Sequence, residues 1–415
     1  VSKTGGEKMT INIAVLGYGT VGSGVVEVIN TNHDSINKKA GNEINIKYVL
    51  DLRDFPDDPV QEKIVHDFDI ILNDPQIRII AEVMGGVEPA YTFTKKALLA
   101  GKSVCTSNKE LVAQHGAELL QIAKEHNVNY LFEASCGGGI PIIRPLNSSL
   151  TADEIDEITG ILNGTTNYML TKMAQEGCEY AEVLKEAQDR GYAERHPEAD
   201  VEGYDACRKI AILSSLAFGR QVDFHDIYTE GITKITAVDF KYAKQMQRAI
   251  KLLGFSKKVG ESFYAMVAPM MVSPSDPLYS VNDVFNAIFV HGNVLGDAMF
   301  YGRGAGKLPT ASAVVADIVD EAKHLERNIM SFWSSKKLEL ADVGESHRRF
   351  FVRIKGTPEE RRNDVEAVFG GVKYVQVPGL EDEFGFVTGI ITEAEYKEKA
   401  NRLGGVISMI RMRNL

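Results

Sequence analysis

Apolar residues fall in two rhythms along the first third of the chain. Short, near-continuous apolar runs, such as INIAVL at 11–16, suit strands of a parallel sheet covered on both faces. Similar runs occur at 44–50, 77–84, 102–106 and 130–133, with a shorter one at 70–72. Between them, helix-like stretches cover 24–29, 90–100 and 116–126. Strand and helix alternating over about 130 residues predict an α/β fold with a Rossmann-type doubly wound parallel sheet.

The middle of the chain reads differently. Helical patterns cover 181–190, 203–218 and 240–253, and longer strands are expected at 157–162 and 263–272. This is an α+β layout, one sheet with helices on a face. A helical run at 311–328 is expected to return and pack on the first domain. The last segment reads strand 349–355, helix 358–369, strands 372–378 and 384–391, helix 393–403 and strand 405–412. That βαββαβ order is ferredoxin-like. Glycines at 370, 371, 404 and 405 stop the two helices, and the charged stretch 334–346 marks the boundary before the segment. The expected domains are 9–140 with the return helix 306–330, then 141–305, then 347–415.

Composition narrows the function. Of 415 residues, 44% are hydrophobic and 25% charged, which excludes intrinsic disorder. Lys and Arg number 46 against 57 Asp and Glu, a formal charge of −11, which argues against nucleic acid and anionic membrane surfaces as partners. No run of about 18 apolar residues offers a membrane span. The cysteines at 105, 136, 178 and 207 have no zinc-like spacing and read as reduced thiols of a cytoplasmic protein. The leader 1–8 is polar and lacks an apolar signal segment, so Met9 reads as the native start.

Candidate chemistry begins at Gly17-Tyr18-Gly19-Thr20-Val21-Gly22, a GxGxxG turn between a predicted strand and a predicted helix. Gly17 permits the turn, Gly19 admits a diphosphate, and Gly22 allows close packing of helix on strand. At the end of the second strand, Asp51 suits the ribose 2′-hydroxyl of NAD, whereas Arg53 suits the 2′-phosphate of NADP. The two signals conflict, with a lean to NADP or dual use. Thr106-Ser107-Asn108-Lys109 follows another strand, where open α/β sheets bind ligands. Asp205 and Lys209 lie four apart on one helix face, fed by a loop carrying Glu194, Asp200 and Glu202.

These residues carry a resemblance. Gly191-Tyr192-Ala193-Glu194, then Pro197, Asp200, Gly203, Asp205 and Lys209, resemble the signature of the homoserine dehydrogenases, with His196 as a departure. The segment 160–168 (GILNGTTNY), the loop 133–141 (EASCGGGIP) and the glycine loop 302–306 are similar to that family's too, with Arg303 where Pro is common. The likeness covers about residues 11–330.

The resemblance implies reversible, NAD(P)-dependent interconversion of L-homoserine and L-aspartate 4-semialdehyde. It implies Lys209 as proton donor and acceptor, aided by Lys109, with Glu194, Asp205, Asn163, Gly164 and Thr165 at the substrate. It adds Met84, Gly85, Ser107, Lys109 and Gly306 to the cofactor site. It also implies a monovalent cation, Na or K, on backbone carbonyls of Glu133, Cys136, Gly138 and Ile140. The tail resembles an ACT domain, which implies a threonine effector, although the loop 355–360 (KGTPEE) lacks the Asp-x-Pro-Gly pattern of many effector-binding examples. The family implies homodimers, or homotetramers through the tail. Two other readings stay open: a Rossmann dehydrogenase of another amino-acid semialdehyde, and a non-catalytic amino-acid sensor.

Overall fold

The computed structural model describes residues 9–413; the leader 1–8 lies outside them. The chain forms two compact units. The first contains the chain up to Asp153, with Ala211–Asp223 and Gly302–Leu338. The second contains Glu154–Ile210, Phe224–Tyr301 and the chain from Glu339 on.

The first unit is built on six strands: β1 (Thr10–Leu16), β2 (Glu43–Leu50), β3 (Ile64–Val65), β4 (Ile77–Glu82), β5 (Ser103–Thr106) and β6 (Tyr130–Leu131). They pair in parallel in the order β3-β2-β1-β4-β5-β6. Ile11, Ile13, Val15 and Leu16 are all buried, which is why the apolar run of β1 shows no alternation. Leu16 sits beside both Leu50 and Glu82, so three strands end level where the order reverses. Such a reversal opens a crevice at the carboxyl ends of the strands. The helices are α1 (Thr20–Thr31), α2 (His33–Ala40), α3 (Phe68–Leu72), α4 (Ala90–Leu99) and α5 (Lys109–Glu125). The returning helix runs Lys307–Lys323, and its Ala311, Val314 and Ile318 share a core with Val25 and Ile29 of α1.

Three local expectations change here. The run 70–72 is not a strand but part of α3, because Asp67 caps that helix by accepting from the Asp69 N–H at 2.9 Å. Three apolar residues are too few for periodicity to separate the two. Helix α5 begins seven residues before the predicted start, where Asn108 accepts from the Leu111 N–H at 3.1 Å. The last strand stops at Leu131, and Glu133 opens a short 3-10 turn instead.

The second unit starts with β7 (Ile155–Ile161), α6 (Gly164–Glu176), α7 (Tyr180–Asp189), α8 (Glu198–Val201) and, as far as Ile210, α9 (Tyr204–Phe218). Its mixed sheet runs, in spatial order, 296–303, 285–292, 155–161, 249–259, 262–272, 406–412, 347–355, 383–387 and 373–375. The predicted helix 240–253 divides into a helix Ala237–Gln245 and a strand Ala249–Val259. Gln247 takes φ 54° at the break, and the following strand is buried on both faces, so no period betrays the change. The hairpin Phe285–Gly292 and Gly296–Arg303 adds two strands that the apolar pattern did not announce.

The last four strands and two helices follow the βαββαβ order, packed 4-1-3-2. Both helices, Pro358–Phe369 and Glu393–Leu403, open on capping boxes from Thr357 and Thr392 and end at Gly370 and Gly404. The expected strands 372–378 and 384–391 shorten to Lys373–Val375 and Glu383–Val387, with Ile391–Thr392 separate. Phe350, Val352, Phe384, Phe386 and Tyr396 form the core of this segment. Its sheet continues that of the rest of the unit, since Val406–Met412 pairs in parallel with Ser262–Val272 through Met270 and Arg411.

Candidate active site

The glycine turn leaves β1 at Leu16 and enters α1 at Thr20. Gly17 has φ 96°, and a Cβ on Gly22 would overlap the Gly17 carbonyl oxygen, so both positions need glycine. Gly19 has open space where its Cβ would stand. It is also the N-cap of α1, offers no side-chain acceptor, and no acidic residue lies in the first turn. Neither an N-cap side chain nor an acidic residue of the first turn meets the backbone donors at Thr20 and Val21, and the helix end suits a diphosphate.

Asp51, at the end of β2, accepts from the Tyr18 N–H at 2.8 Å and from the Arg53 Nε and Nη2, each at 2.9 Å. The guanidinium, with these backbone donors, holds the Asp51 carboxyl well below the usual carboxylate range. Asp51 and Arg53 thus form one bidentate pair on the wall of a cavity of about 440 Å³, together with Gly17, Phe68, Met84 and Phe93. The rings of Phe68 and Phe93 stack at 4.2 Å. A charged pair beside apolar walls fits the adenosine end of a dinucleotide.

At the ends of β4 and β5 a buried network holds two turns together. Glu82 accepts from the Met84 N–H at 2.8 Å and from the Thr106 hydroxyl at 2.6 Å. Burial pushes its carboxyl up to about 7. Asn108 caps α5 and donates to the Gly86 carbonyl at 2.6 Å. Met84 and Gly85 on one turn, and Ser107 and Lys109 on the other, are positioned by these bonds. Thr106 and Asn108 belong to the segment 106–109 expected at a ligand-binding strand end, whereas Glu82 was not among the expected site residues. A polar residue closing an apolar strand was the available signal.

The loop after β6 is anchored by Glu133. Its carboxylate accepts from the N–H groups of Ile142, Ile143 and Arg144 at 2.6, 2.9 and 2.7 Å. Its own N–H donates to Asp317 at 2.9 Å, and Arg144 pairs with Asp317 at 2.6 Å. The Glu133 side chain is therefore committed to the protein. Gly138 packs against Gly304 so closely that a Cβ would strike its carbonyl, and Gly139 donates to the Arg303 carbonyl at 3.2 Å. Gly306, at φ 121°, starts the returning helix. Cys136 and Ile140 are buried in the same loop.

The second unit holds the Asp205–Lys209 pair. Both are almost wholly enclosed, at 4% and 8% exposure. Lys209 Nζ donates to Asp205 Oδ2 at 2.7 Å and to the Leu162 carbonyl at 2.7 Å. Asn163 Nδ2 donates to Asp205 Oδ2 at 2.9 Å and to Asp200 at 2.7 Å. Asn163 also caps α6, accepting from the Thr166 N–H at 2.8 Å. β7 thus delivers Leu162 and Asn163 to the acid and amine on α9. Asp200, one of the acids of the feeding loop, joins the cluster through Asn163. Thr165, one residue into α6, donates to the Tyr192 carbonyl at 2.6 Å, with Gly164 before it. Glu194 lies exposed on the 191–197 loop, its carbonyl accepting from Gln188 at 3.0 Å. A buried amine beside a carboxylate suits proton transfer to a polar substrate.

Comparison with known proteins agrees. A family model described as "Homoserine dehydrogenase, NAD binding domain" matches residues 17–133, and one described as "Homoserine dehydrogenase" matches 141–319. A homoserine dehydrogenase from Bacillus subtilis is 43% identical over 77% of this chain and 74% of its own length. The crystal structure of a homoserine dehydrogenase from Thiobacillus denitrificans superposes with a TM-score of 0.91 and 32% identity, over 98% of this chain and 99% of that one. A hyperthermophilic archaeal homoserine dehydrogenase in complex with NADPH has a TM-score of 0.63 and 29% identity, over 75% of this chain and 97% of that one. None of the helices in the described residues is long and apolar enough to cross a membrane. Likeness of this extent, carried by both parts of the chain and matched by the chemistry of each, has one meaning: the chain belongs to the homoserine dehydrogenase family of nicotinamide-dependent oxidoreductases.

Proposed function

We propose that Lys209 moves the proton at the C4 oxygen when this chain interconverts L-homoserine and L-aspartate 4-semialdehyde. The observation that carries this reading is the enclosed Lys209 ammonium, held by Asp205 and the Leu162 carbonyl at 2.7 Å each. In reduction the ammonium donates to the carbonyl oxygen; in oxidation the amine takes the proton from the hydroxyl. Asp205 orients Lys209 from one turn away, and Asn163 holds Asp205 in place. Glu194 and Asp205 take the substrate's ammonium and hydroxyl, with Gly164 and Thr165 alongside, and Lys109 assists at the same oxygen.

The bound nicotinamide supplies or accepts the hydride. Gly17, Tyr18, Gly19, Thr20, Val21 and Gly22 hold its diphosphate, and Arg53 favours NADP over NAD once it turns from Asp51 to a 2′-phosphate. Met84, Gly85, Ser107, Lys109 and Gly306 complete the cofactor site. Carbonyls of Glu133, Cys136, Gly138 and Ile140 hold a monovalent cation. The domains are read as 9–140 with 306–330, 141–305, and 347–415 as an ACT-type module. That module answers threonine where two copies meet, in a cytoplasmic homodimer or homotetramer.

The experiment is a set of initial rates with L-homoserine and other amino alcohols, each with NADP and NAD, with and without Na, K and threonine. Turnover of homoserine, fastest with NADP, is expected. Preference for another amino alcohol would sink the substrate reading.

A further inference from the structure

The tail strand Val406–Met412 carries a buried arginine that reaches back into the rest of the second unit. Arg411 is 2% exposed. Its Nε and Nη2 donate to the two oxygens of Glu393 at 2.5 and 2.9 Å, within the tail. Its Nη1 donates to Glu230 Oε2 at 2.6 Å, and its guanidinium lies 5.0 Å from the centre of the Tyr228 ring. The Tyr228 hydroxyl donates to the same Glu230 oxygen at 3.0 Å. Glu230 belongs to a short segment, 228–232, that pairs with the strand Ser262–Val272, and its N–H donates to the Val267 carbonyl at 2.8 Å.

The same segment is the seat of α8. The Ile232 N–H donates to the Val201 carbonyl at 2.8 Å. A Cβ on Gly231 would stand 2.1 Å from that carbonyl oxygen and 2.5 Å from the Glu202 Cα, and one on Gly203 would stand 3.2 Å from Thr229 Cγ2. Backbone thus rests on backbone at Gly231, and close packing of this kind transmits a shift rather than absorbing it. α8 carries Asp200, whose carboxylate accepts from Asn163, and Asn163 in turn holds Asp205 beside Lys209. A buried ion pair is a poor source of net stability, and its better-attested use is to fix one packing arrangement. We propose that Arg411 is a positioning residue for the reaction: its bond to Glu230 fixes the segment 228–232, and with it the seat of α8, so that Asp200 meets Asn163. This role rests on the reading of Lys209 and Asp205 as the reacting pair and extends it into the tail.

Truncating Arg411 would leave Glu393 charged and unpaired in the interior, so the test removes the charge of Glu230 instead, whose side chain is 24% exposed. Glu383→Gln is the control. Glu383 is 17% exposed and accepts from Arg353, another buried arginine of the tail, at 2.9 and 2.8 Å, but Arg353 otherwise reaches Thr236 and Asp239 rather than the 228–232 segment. Steady-state rates of the intact chain are measured with whichever amino alcohol the parent oxidises fastest. Failure of the homoserine reading then shows in the parent and leaves the comparison of variants intact. Glu230→Gln is expected to raise KM for the amino alcohol at least about fivefold, within the scale of one charged hydrogen bond, and to leave KM for NADP unchanged. Arg411→Lys, which keeps a charge but not the fork that spans two carboxylates, should raise the same KM. Glu383→Gln should change neither constant. Asp200→Ala combined with Glu230→Gln should show the KM of Asp200→Ala alone, since both act through one contact. An unchanged KM in either Glu230→Gln or Arg411→Lys would overturn the assignment. So would an equal rise in Glu383→Gln, a matching rise in KM for NADP, or effects that multiply in the double variant.

Discussion

Lys209 and Asp205 stand one helical turn apart on α9, with Nζ 2.7 Å from Oδ2, and both are buried. A pair so enclosed differs from a solvated i,i+4 pair, which contributes only about 0.3–0.5 kcal/mol. Removing one partner strands the other charge, at about 3–5 kcal/mol. Lys209→Ala is therefore expected to cost both stability and nearly all turnover, the catalytic share being about 10²–10⁴-fold. Fluorescence titration with NADPH separates the two effects. The variant should still bind cofactor, because the glycine turn is untouched. Near-normal turnover would remove Lys209 from proton transfer.

Asn163 has two tasks on one side chain. Its oxygen caps α6, and its amide nitrogen bridges Asp200 and Asp205. Serine is as good a cap as asparagine but has no amide to span two carboxylates. Asn163→Ser should keep the melting temperature within a few degrees of the parent while lowering kcat and raising KM for homoserine. Asn163→Ala should lose about 1 kcal/mol more stability, the worth of the cap. Paired melting curves and steady-state rates check both. Equal kinetics in the serine variant and the parent would limit Asn163 to capping.

The glycine turn permits a similar separation. A methyl group at Gly19 meets no protein atom within 4 Å, whereas one at Gly22 overlaps the Gly17 carbonyl. Gly19→Ala should fold as the parent does and bind NADPH at least about tenfold less tightly, since the space it fills is the one left for a diphosphate. Gly22→Ala should lose stability with or without cofactor. Binding by Gly19→Ala indistinguishable from the parent would mean that the diphosphate lies elsewhere.

What could be read from the chain alone follows physical range. The turn 17–22 was legible because Gly17 answers a positive φ and Gly22 a close approach, with Gly19 between them at the spacing of a dinucleotide turn. The Asp205–Lys209 pair was legible because helical spacing alone brings the two together. Asn163 and the Leu162 carbonyl reach that pair from the end of β7, and Asp200 from the short helix α8, so no periodicity links them. The helix 237–245 and the strand 249–259 looked like one helix because burial on both faces erases the alternation that marks a strand. Residues 70–72 followed Asp67, whose capping role was the overlooked cue.

Glu82 gives a prediction in pH. It is fully buried and accepts from Met84 and Thr106, and burial raises its carboxyl from 4.5 to about 7. Below pH 4.5 the folded and unfolded chains both hold this proton, and the group costs nothing. As pH rises from 4.5 to 7 the unfolded chain gives the proton up while the folded chain keeps it. Stability therefore falls across that window, by about 1.4 kcal/mol per pH unit and on the order of 3 kcal/mol in total. Glutamine cannot ionise, and its amide oxygen can still accept from the Met84 N–H. Glu82→Gln should thus flatten the decline by one proton's share and exceed the parent in stability at pH 8. Urea denaturation of the cofactor-free protein between pH 5 and 8 measures this. Parallel slopes for parent and variant would show that Glu82 is already ionised in the folded chain.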